Sequence, residues 1–275
     1  MLAATLLALG AAVLHAGWNL AVKQTTGDRF LMLWGQFAIA AAISTPILFA
    51  FGGMPAKAWL WVAISGSVHL PYCVFLAKAY DTGDFSYVYP LARGGGAILA
   101  AAGGVIFLSD HLRWLTVVGI LTIGGGLGML AGFRRSPALG SALIVALTIG
   151  VYSVSDANGI RSSGTPLYAL ATHAGTFSST TLFALATGRA TQMRTTLSLH
   201  WRRLTIVAIA ATVTYGMVQL AFRHAPVGYV TALRESSVVL AAIVGWKQLG
   251  EPAGRRRLFA TLIVFAGLIV MVVSR

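Results

Sequence analysis

Apolar residues recur along the chain in stretches of bilayer length, separated by short polar connections. A transmembrane helix needs about 20 predominantly apolar residues to cross a hydrocarbon core of roughly 30 Å. Eight stretches contain no Asp, Glu, Lys or Arg, and two more are interrupted by charge. The pattern predicts an all-α membrane protein with ten transmembrane helices, at residues 2–22, 30–51, 58–77, 86–108, 114–133, 138–155, 167–187, 204–222, 226–248 and 258–274.

The composition agrees with this prediction. The chain is 57% hydrophobic and 10% charged, whereas an ordinary soluble domain is about 25% charged. Its longest predicted connection, residues 189–203, is too short for a soluble domain. The first stretch lacks the basic start of a signal peptide, so we expect it to be retained.

The net charge of +13 first raises the question of nucleic-acid binding. The basic residues are scattered among the predicted turns and form no single stripe, which indicates membrane-flanking arginines and no nucleic-acid partner. Cys73 is the single cysteine, so an intrachain disulfide and a cysteine-based metal cluster are excluded.

The two halves of the chain carry related phrases. Residues 87–93 read YVYPLAR and residues 229–235 read YVTALRE. An offset of 141 residues places Arg93 on Arg234, and an offset of 137 places His15 on Tyr152. Five spans per half is an odd number, so the second half enters the membrane from the opposite side. We therefore predict two inverted five-helix repeats, residues 1–133 and 138–275, with a solute site near the midplane between them.

Three phrases indicate a family. They are HAGWN at residues 15–19 with Lys23, YPLARG at residues 89–94 and LGE at residues 249–251. At these positions the chain resembles the EamA branch of the drug/metabolite transporter superfamily. The resemblance implies ten helices, inverted repeats, a central cavity and movement of small metabolites, commonly outward, across a bacterial inner membrane. Such proteins usually have both termini in the cytoplasm, whereas the distribution of Lys and Arg here favours termini outside.

Two arginines lie inside predicted spans. An arginine at the bilayer centre costs roughly 2.5–3.5 kcal/mol on insertion scales, so Arg93 and Arg234 should face a protein interior or a wet cavity. A guanidinium pairs well with a carboxylate or phosphate, and Arg93 is the first candidate for an anion contact. The alternative is a permanent salt bridge. Pro90 and the glycines Gly94, Gly95 and Gly96 flank Arg93 and are predicted to form a gate or hinge.

The first helix carries a polar stripe. His15, Trp18 and Asn19 share one face at i, i+3 and i+4, and we expect this face to line the cavity. The alternative is that His15 and Asn19 hydrogen-bond neighbouring helices as structural contacts. Tyr89 and Tyr152 join the candidate site because they lie on the helices that carry the repeated motifs.

Carboxylates complete the candidate solute-binding set. Asp156 corresponds to Asn19 and is the leading partner for Arg93 or Arg234, or a site for a transported proton; it could instead face water at a span boundary. Glu235 follows Arg234 directly, so the two point about 100° apart on a helix and should face different neighbours.

These residues predict a secondary active transporter for small organic solutes, with amino acids or related carboxylates as the leading class. A proton-coupled exporter of cationic drugs and a flippase for lipid-linked intermediates are the alternatives. Proton coupling and a homodimer stay open, and no metal or cofactor is expected. Enzyme motifs such as HExxH, GxSxG and the phosphate loop are missing from the sequence, which argues against an enzyme.

Overall fold

The computed structural model describes residues 1–23, 27–83, 85–131, 136–238 and 255–273. Side chains are described at all of these positions except those within 19–26, 84–87, 130–135, 239–258 and 274–275. Within these ranges the chain forms ten α-helices and no strand, which confirms the all-α prediction. Their bounds are α1 Leu2–Lys23, α2 Arg29–Ala50, α3 Ala56–Thr82, α4 Phe85–Leu108, α5 Trp114–Ala131, α6 Leu139–Ser163, α7 Tyr168–Ala186, α8 Ala190–Phe222, α9 Val227–Arg234 and α10 Arg255–Val273.

Each predicted span overlaps one of these helices, but three helices extend well beyond their predicted spans. Helix α3 continues five residues past residue 77, to Thr82. Helix α8 begins at Ala190, so residues 190–203 are helical and not a loop. This segment is polar but contains no Gly or Pro, so nothing in it stops a helix. Helix α6 continues past residue 155 to Ser163, where Gly164 adopts a left-handed φ of 69° and ends it.

Length and hydropathy allow five helices to cross a membrane: α2, α3, α4 from Val88, α6 and α8. Three shorter apolar helical segments lie at Leu2–Trp18, Trp114–Met129 and Phe259–Val273. The structure thus shows an apolar helical bundle with several membrane-length helices. The ten-span arrangement stays a prediction.

The helices pack in a reciprocal pattern. Helix α2 packs against α7, α5 against α10 and α4 against α9. Helix α3 packs on α6 and α7, while α1 and α2 both pack on α8. Helix α4 also packs on α6, and α1 on α9. This arrangement brings polar residues of seven helices to the middle of the bundle.

A network of hydrogen bonds connects several helix ends at one end of the bundle. Arg161 at the end of α6 donates from Nη1 to Asp110 Oδ1 at 2.8 Å and from Nε to the carbonyl of Phe222 at 2.8 Å. Its Nη2 donates to the carbonyl of Ala225 at 3.0 Å. The backbone N–H of Val227 donates to Asp110 Oδ2 at 2.7 Å. One arginine–carboxylate pair therefore connects the ends of α4, α6 and α8 with the start of α9.

Glycines allow α5 and α10 to approach closely. A Cβ atom on Gly126 would lie 3.0 Å from the carbonyl oxygen of Ala260 and 3.0 Å from the backbone nitrogen of Val264. The neighbouring Gly125 is exposed, and a Cβ there would meet nothing within 4 Å. Part of the glycine-rich face of α5 thus serves packing within the chain.

We expect Gly126→Val to lower the free energy of unfolding by about 1–3 kcal/mol because the new side chain overpacks against backbone atoms that cannot move aside. Thermal unfolding of the detergent-solubilised protein measures the effect. Gly125→Val is the matched control on the same helix and should unfold at the wild-type temperature. Equal melting temperatures for the two variants would contradict the close α5–α10 contact.

Candidate functional site

A cavity lies in the middle of the bundle, enclosed by helices α1, α2, α3, α6, α7, α8 and α9. Its volume is about 40 Å³, and a water needs roughly 10–15 Å³. The cavity therefore has room for only a few waters in this conformation, and an organic solute would have to widen it. It is lined by His15, Trp18, Gln36, Phe37, His69, Tyr72, Tyr152, Thr172, His173, Thr176, Ala211, Thr214, Tyr215 and Arg234.

Aromatic rings form much of the cavity wall. The ring of His69 stacks on Tyr152 with centroids 4.3 Å apart, and Tyr215 meets His69 edge-on at 5.9 Å. The His69 Nδ1 lies 2.8 Å from the carbonyl oxygen of Ser65, so it carries the proton in the neutral ring. These contacts hold the rings in fixed orientations around the cavity.

Arg93 forms a buried ion pair with Glu235, between α4 and α9. Its Nη2 donates to Glu235 Oε1 at 2.7 Å, and its Nε donates to Oε2 at 3.3 Å. The two side chains are 6% and 1% exposed. The pair differs from the expected partnership of Arg93 with Asp156. Glu235 already neutralises Arg93, so Arg234 replaces Arg93 as the proposed anion contact.

Arg234 is the cationic residue of the cavity wall. It is 2% exposed, and its Nε has no hydrogen-bond partner in the part of the chain that the structure describes. None of the ion pairs formed by the described residues includes it. At the offset of 141 residues, Glu235 corresponds to Gly94. Arg93 therefore has a carboxylate partner, whereas the predicted repeat places a glycine at the corresponding position for Arg234.

Asp156 lies behind the cavity wall. It is fully buried and accepts hydrogen bonds from Tyr168 at 3.3 Å and from Tyr215. It does not belong to the residues that line the cavity. The carboxylate of Asp156 thus orients Tyr215, which lines the cavity. Neither of its predicted partners, Arg93 and Arg234, forms an ion pair with Asp156. Because α6 extends to Ser163, Asp156 lies within the helix and not at its end, where the sequence predicted a span boundary.

The first helix presents two of its three predicted site residues to the cavity. His15 and Trp18 both line it, with ring centroids 4.8 Å apart in an edge-on arrangement. The third, Asn19, has a side chain outside the described residues. Tyr89 is buried beside the Arg93–Glu235 ion pair and does not line the cavity. Its hydroxyl oxygen lies 3.1 Å from Oγ of Ser237.

The predicted gate lies within a continuous helix. Helix α4 runs unbroken through Pro90 and the three glycines that follow Arg93. A Cβ atom on Gly94 would lie 2.9 Å from Cβ of Leu127, and one on Gly95 would lie 3.0 Å from Cβ of Ala146. A Cβ atom on Gly96 would contact the side chain of Ile149. These glycines allow α4 to pack closely on α5 and α6, and their role as a gate stays a prediction.

Sequence reasoning missed several cavity residues on α2 and α7. Gln36 and His173 were not selected, although each is a polar side chain within an apolar stretch. Thr172, Thr176 and Thr180 follow the helical spacing i, i+4 and i+8, and all three are buried. This spacing was a usable signal, because a buried polar stripe on a membrane helix faces the protein interior.

The comparisons with known proteins agree with the fold. A solved crystal structure of a protein with 18% sequence identity matches with a TM-score of 0.71 over 98% of each chain, so the two share a fold. No curated protein sequence matches this chain. The sequence profile of the EamA-like transporter family matches residues 136–273, half of the chain. The chain therefore belongs to the EamA-like transporter family.

Proposed function

We propose that this transporter moves small organic carboxylates, with amino acids as the leading class, by alternating access. The observation that carries the proposal is Arg234, a buried guanidinium on the cavity wall without an ion-pair partner among the described residues. A buried cation is costly unless it is paired. A solute carboxylate that accepts hydrogen bonds from Arg234 would pair with its guanidinium in a bidentate geometry.

Ten membrane crossings in two inverted repeats are part of this proposal. The reciprocal packing supports it, since exchanging each helix of the first five with its counterpart in the second five converts the most extensive of the observed contacts into one another. Contacts of α3 with α6 and α7 correspond to those of α8 with α1 and α2, and α2–α7 and α5–α10 correspond to themselves. A solute site between such repeats is typical of secondary transporters.

We place the protein in a bacterial inner membrane and expect net outward movement. The solute gradient or a proton gradient would supply the energy, because the sequence carries no phosphate-loop motif. The few-water volume of the cavity supports a conformation that is closed around the centre. Loading a solute therefore requires the helices around the cavity to separate on one side.

A lipid-linked anion is the second candidate solute. An apolar groove of about 420 Å³ lies between α1, α9 and α10. Leu9 and Val13 line it from α1, Leu233 from α9, and Phe265 and Ile269 from α10. Leu233 precedes Arg234 directly, so α9 separates this groove from the cavity. An acyl chain in the groove would place its polar head near the same arginine.

Proteoliposomes containing the purified protein test the proposal. We expect saturable uptake of radiolabelled amino acids that unlabelled carboxylates inhibit, with protein-free liposomes as the control. Uptake of lipophilic cations without any uptake or inhibition by carboxylates would overturn the carboxylate assignment and favour multidrug export. Translocation of a fluorescent lipid-linked phosphate alone would favour the flippase.

A further inference from the structure

A second polar region of the cavity lies on α2 and α7. Gln36 and His173 both line the cavity and are 2% and 3% exposed. The Oε1 atom of Gln36 and the Nε2 atom of His173 have no hydrogen-bond partner within the described part of the chain. Buried polar groups of folded proteins are normally hydrogen-bonded, so each unpaired atom calls for a reason.

The repeat relates these two residues. The offset of 137 residues that places His15 on Tyr152 also places Gln36 on His173. Their helices, α2 and α7, pack directly against each other. Corresponding positions of the two halves therefore contribute one unpaired polar atom each to the same cavity.

The chemistry of these two atoms differs from that of Arg234. A carbonyl oxygen such as Gln36 Oε1 only accepts hydrogen bonds, and a neutral imidazole accepts at one ring nitrogen. On α9 and α1, Arg234 and the indole Nε1 of Trp18 are donors, and the Trp18 Nε1 likewise has no hydrogen-bond partner among the described residues. The cavity thus offers donors from α1 and α9, an acceptor from Gln36 on α2, and on α7 a ring nitrogen of His173 that accepts when the proton is on Nδ1.

We propose that Gln36 and His173 form a second subsite, which binds a hydrogen-bond-donating nitrogen of the solute while Arg234 binds its carboxylate. This inference rests on the proposed carboxylate function and narrows the solute class to zwitterions of the amino-acid type. Among the described residues that line the cavity there is no Asp or Glu. Neutral acceptors would accept hydrogen bonds from an ammonium group of the solute. Ring faces such as that of Phe37 would attract it through their quadrupole.

A matched pair of solutes tests the subsite. L-Phenylalanine and 3-phenylpropanoate share a ring and a carboxylate and differ in the ammonium group. Isothermal titration calorimetry on the purified full-length protein should show tighter binding of phenylalanine by at least tenfold. Gln36→Leu and His173→Phe should each weaken phenylalanine binding by about tenfold and leave 3-phenylpropanoate unchanged, so that the preference shrinks or disappears.

The control is Ser44→Ala on the same helix. Ser44 is also buried with an unpaired hydroxyl among the described residues, but it lies outside the cavity lining. This variant should keep the wild-type preference. Both subsite variants should also keep the wild-type melting temperature, because each removes a polar atom that has no hydrogen-bond partner among the described residues.

The outcomes separate the two proposals. Equal weakening of both solutes by Gln36→Leu and His173→Phe, or an unchanged preference, would overturn the subsite. Equal binding of both solutes by the wild type, with loss of both in Arg234→Gln, would also overturn it and leave the carboxylate function intact. Binding of neither solute by the wild type would overturn the carboxylate function and the subsite together.

Discussion

Replacing Arg234 with glutamine is expected to reduce carboxylate transport by about 30-fold or more. Removing one member of a buried, hydrogen-bonded charge pair costs roughly 2–5 kcal/mol, and each 1.4 kcal/mol corresponds to a factor of ten. Here the pair would form between Arg234 and the solute. Initial rates of amino-acid uptake into proteoliposomes, at equal amounts of reconstituted protein, measure the loss.

Two further variants show whether charge alone is sufficient. Arg234→Lys keeps the charge but loses the planar fork that pairs with a carboxylate through two hydrogen bonds, so its rate should lie between those of the wild type and Arg234→Gln. Arg194→Gln removes an exposed arginine at the start of α8 and should transport normally. Wild-type rates in Arg234→Gln would show that the solute anion binds elsewhere.

Breaking the buried pair of Arg93 and Glu235 should destabilise the fold strongly. Because both side chains are almost completely buried, replacing either one alone leaves an uncompensated charge at a cost of about 3–5 kcal/mol. We expect Arg93→Met and Glu235→Leu each to lower the melting temperature and the yield of folded protein. The double variant, with two apolar residues of similar size, should recover most of this loss. Thermal unfolding monitored by size-exclusion chromatography measures all three.

An exposed ion pair serves as the control for this cycle. Arg189 and Asp28 are 35% and 43% exposed and lie 3.2 Å apart. An exposed pair contributes at most about 1 kcal/mol, so Arg189→Gln should change the melting temperature little. A stable Arg93→Met variant that fails only in transport would contradict the structural role of the pair and return Arg93 to the solute site.

The helices were largely predictable because hydrophobic length is a local property. Apolar stretches such as residues 30–51 and 114–133 lie close to the bounds of α2 and α5. Hydropathy marks the part of a helix that suits lipid and not the points where the helix begins and ends. For this reason the polar residues 190–203 and the end of α6 were read as connections, although both are helical.

The candidate site was predictable in part. Polar residues within apolar stretches, such as His15, Tyr152 and Arg234, do line the central cavity. The choice of partners was not predictable: Asp156 was the leading predicted partner for Arg93 or Arg234, yet Arg93 pairs with Glu235. Sequence spacing gives the direction of a side chain only around its own helix, and the neighbour it meets depends on how that helix is placed against the others.

The sequence by itself determined an all-helical membrane protein and the presence of charges that cannot face lipid, and it predicted an internal duplication. These follow from the free energy of burying apolar and charged groups, which depends on composition and spacing along the chain. Only the tertiary structure decided that Glu235 neutralises Arg93 while Arg234 lines the cavity. That decision depends on the packing of α4 against α9, because two charges neutralise each other only when their helices bring them within a few ångströms.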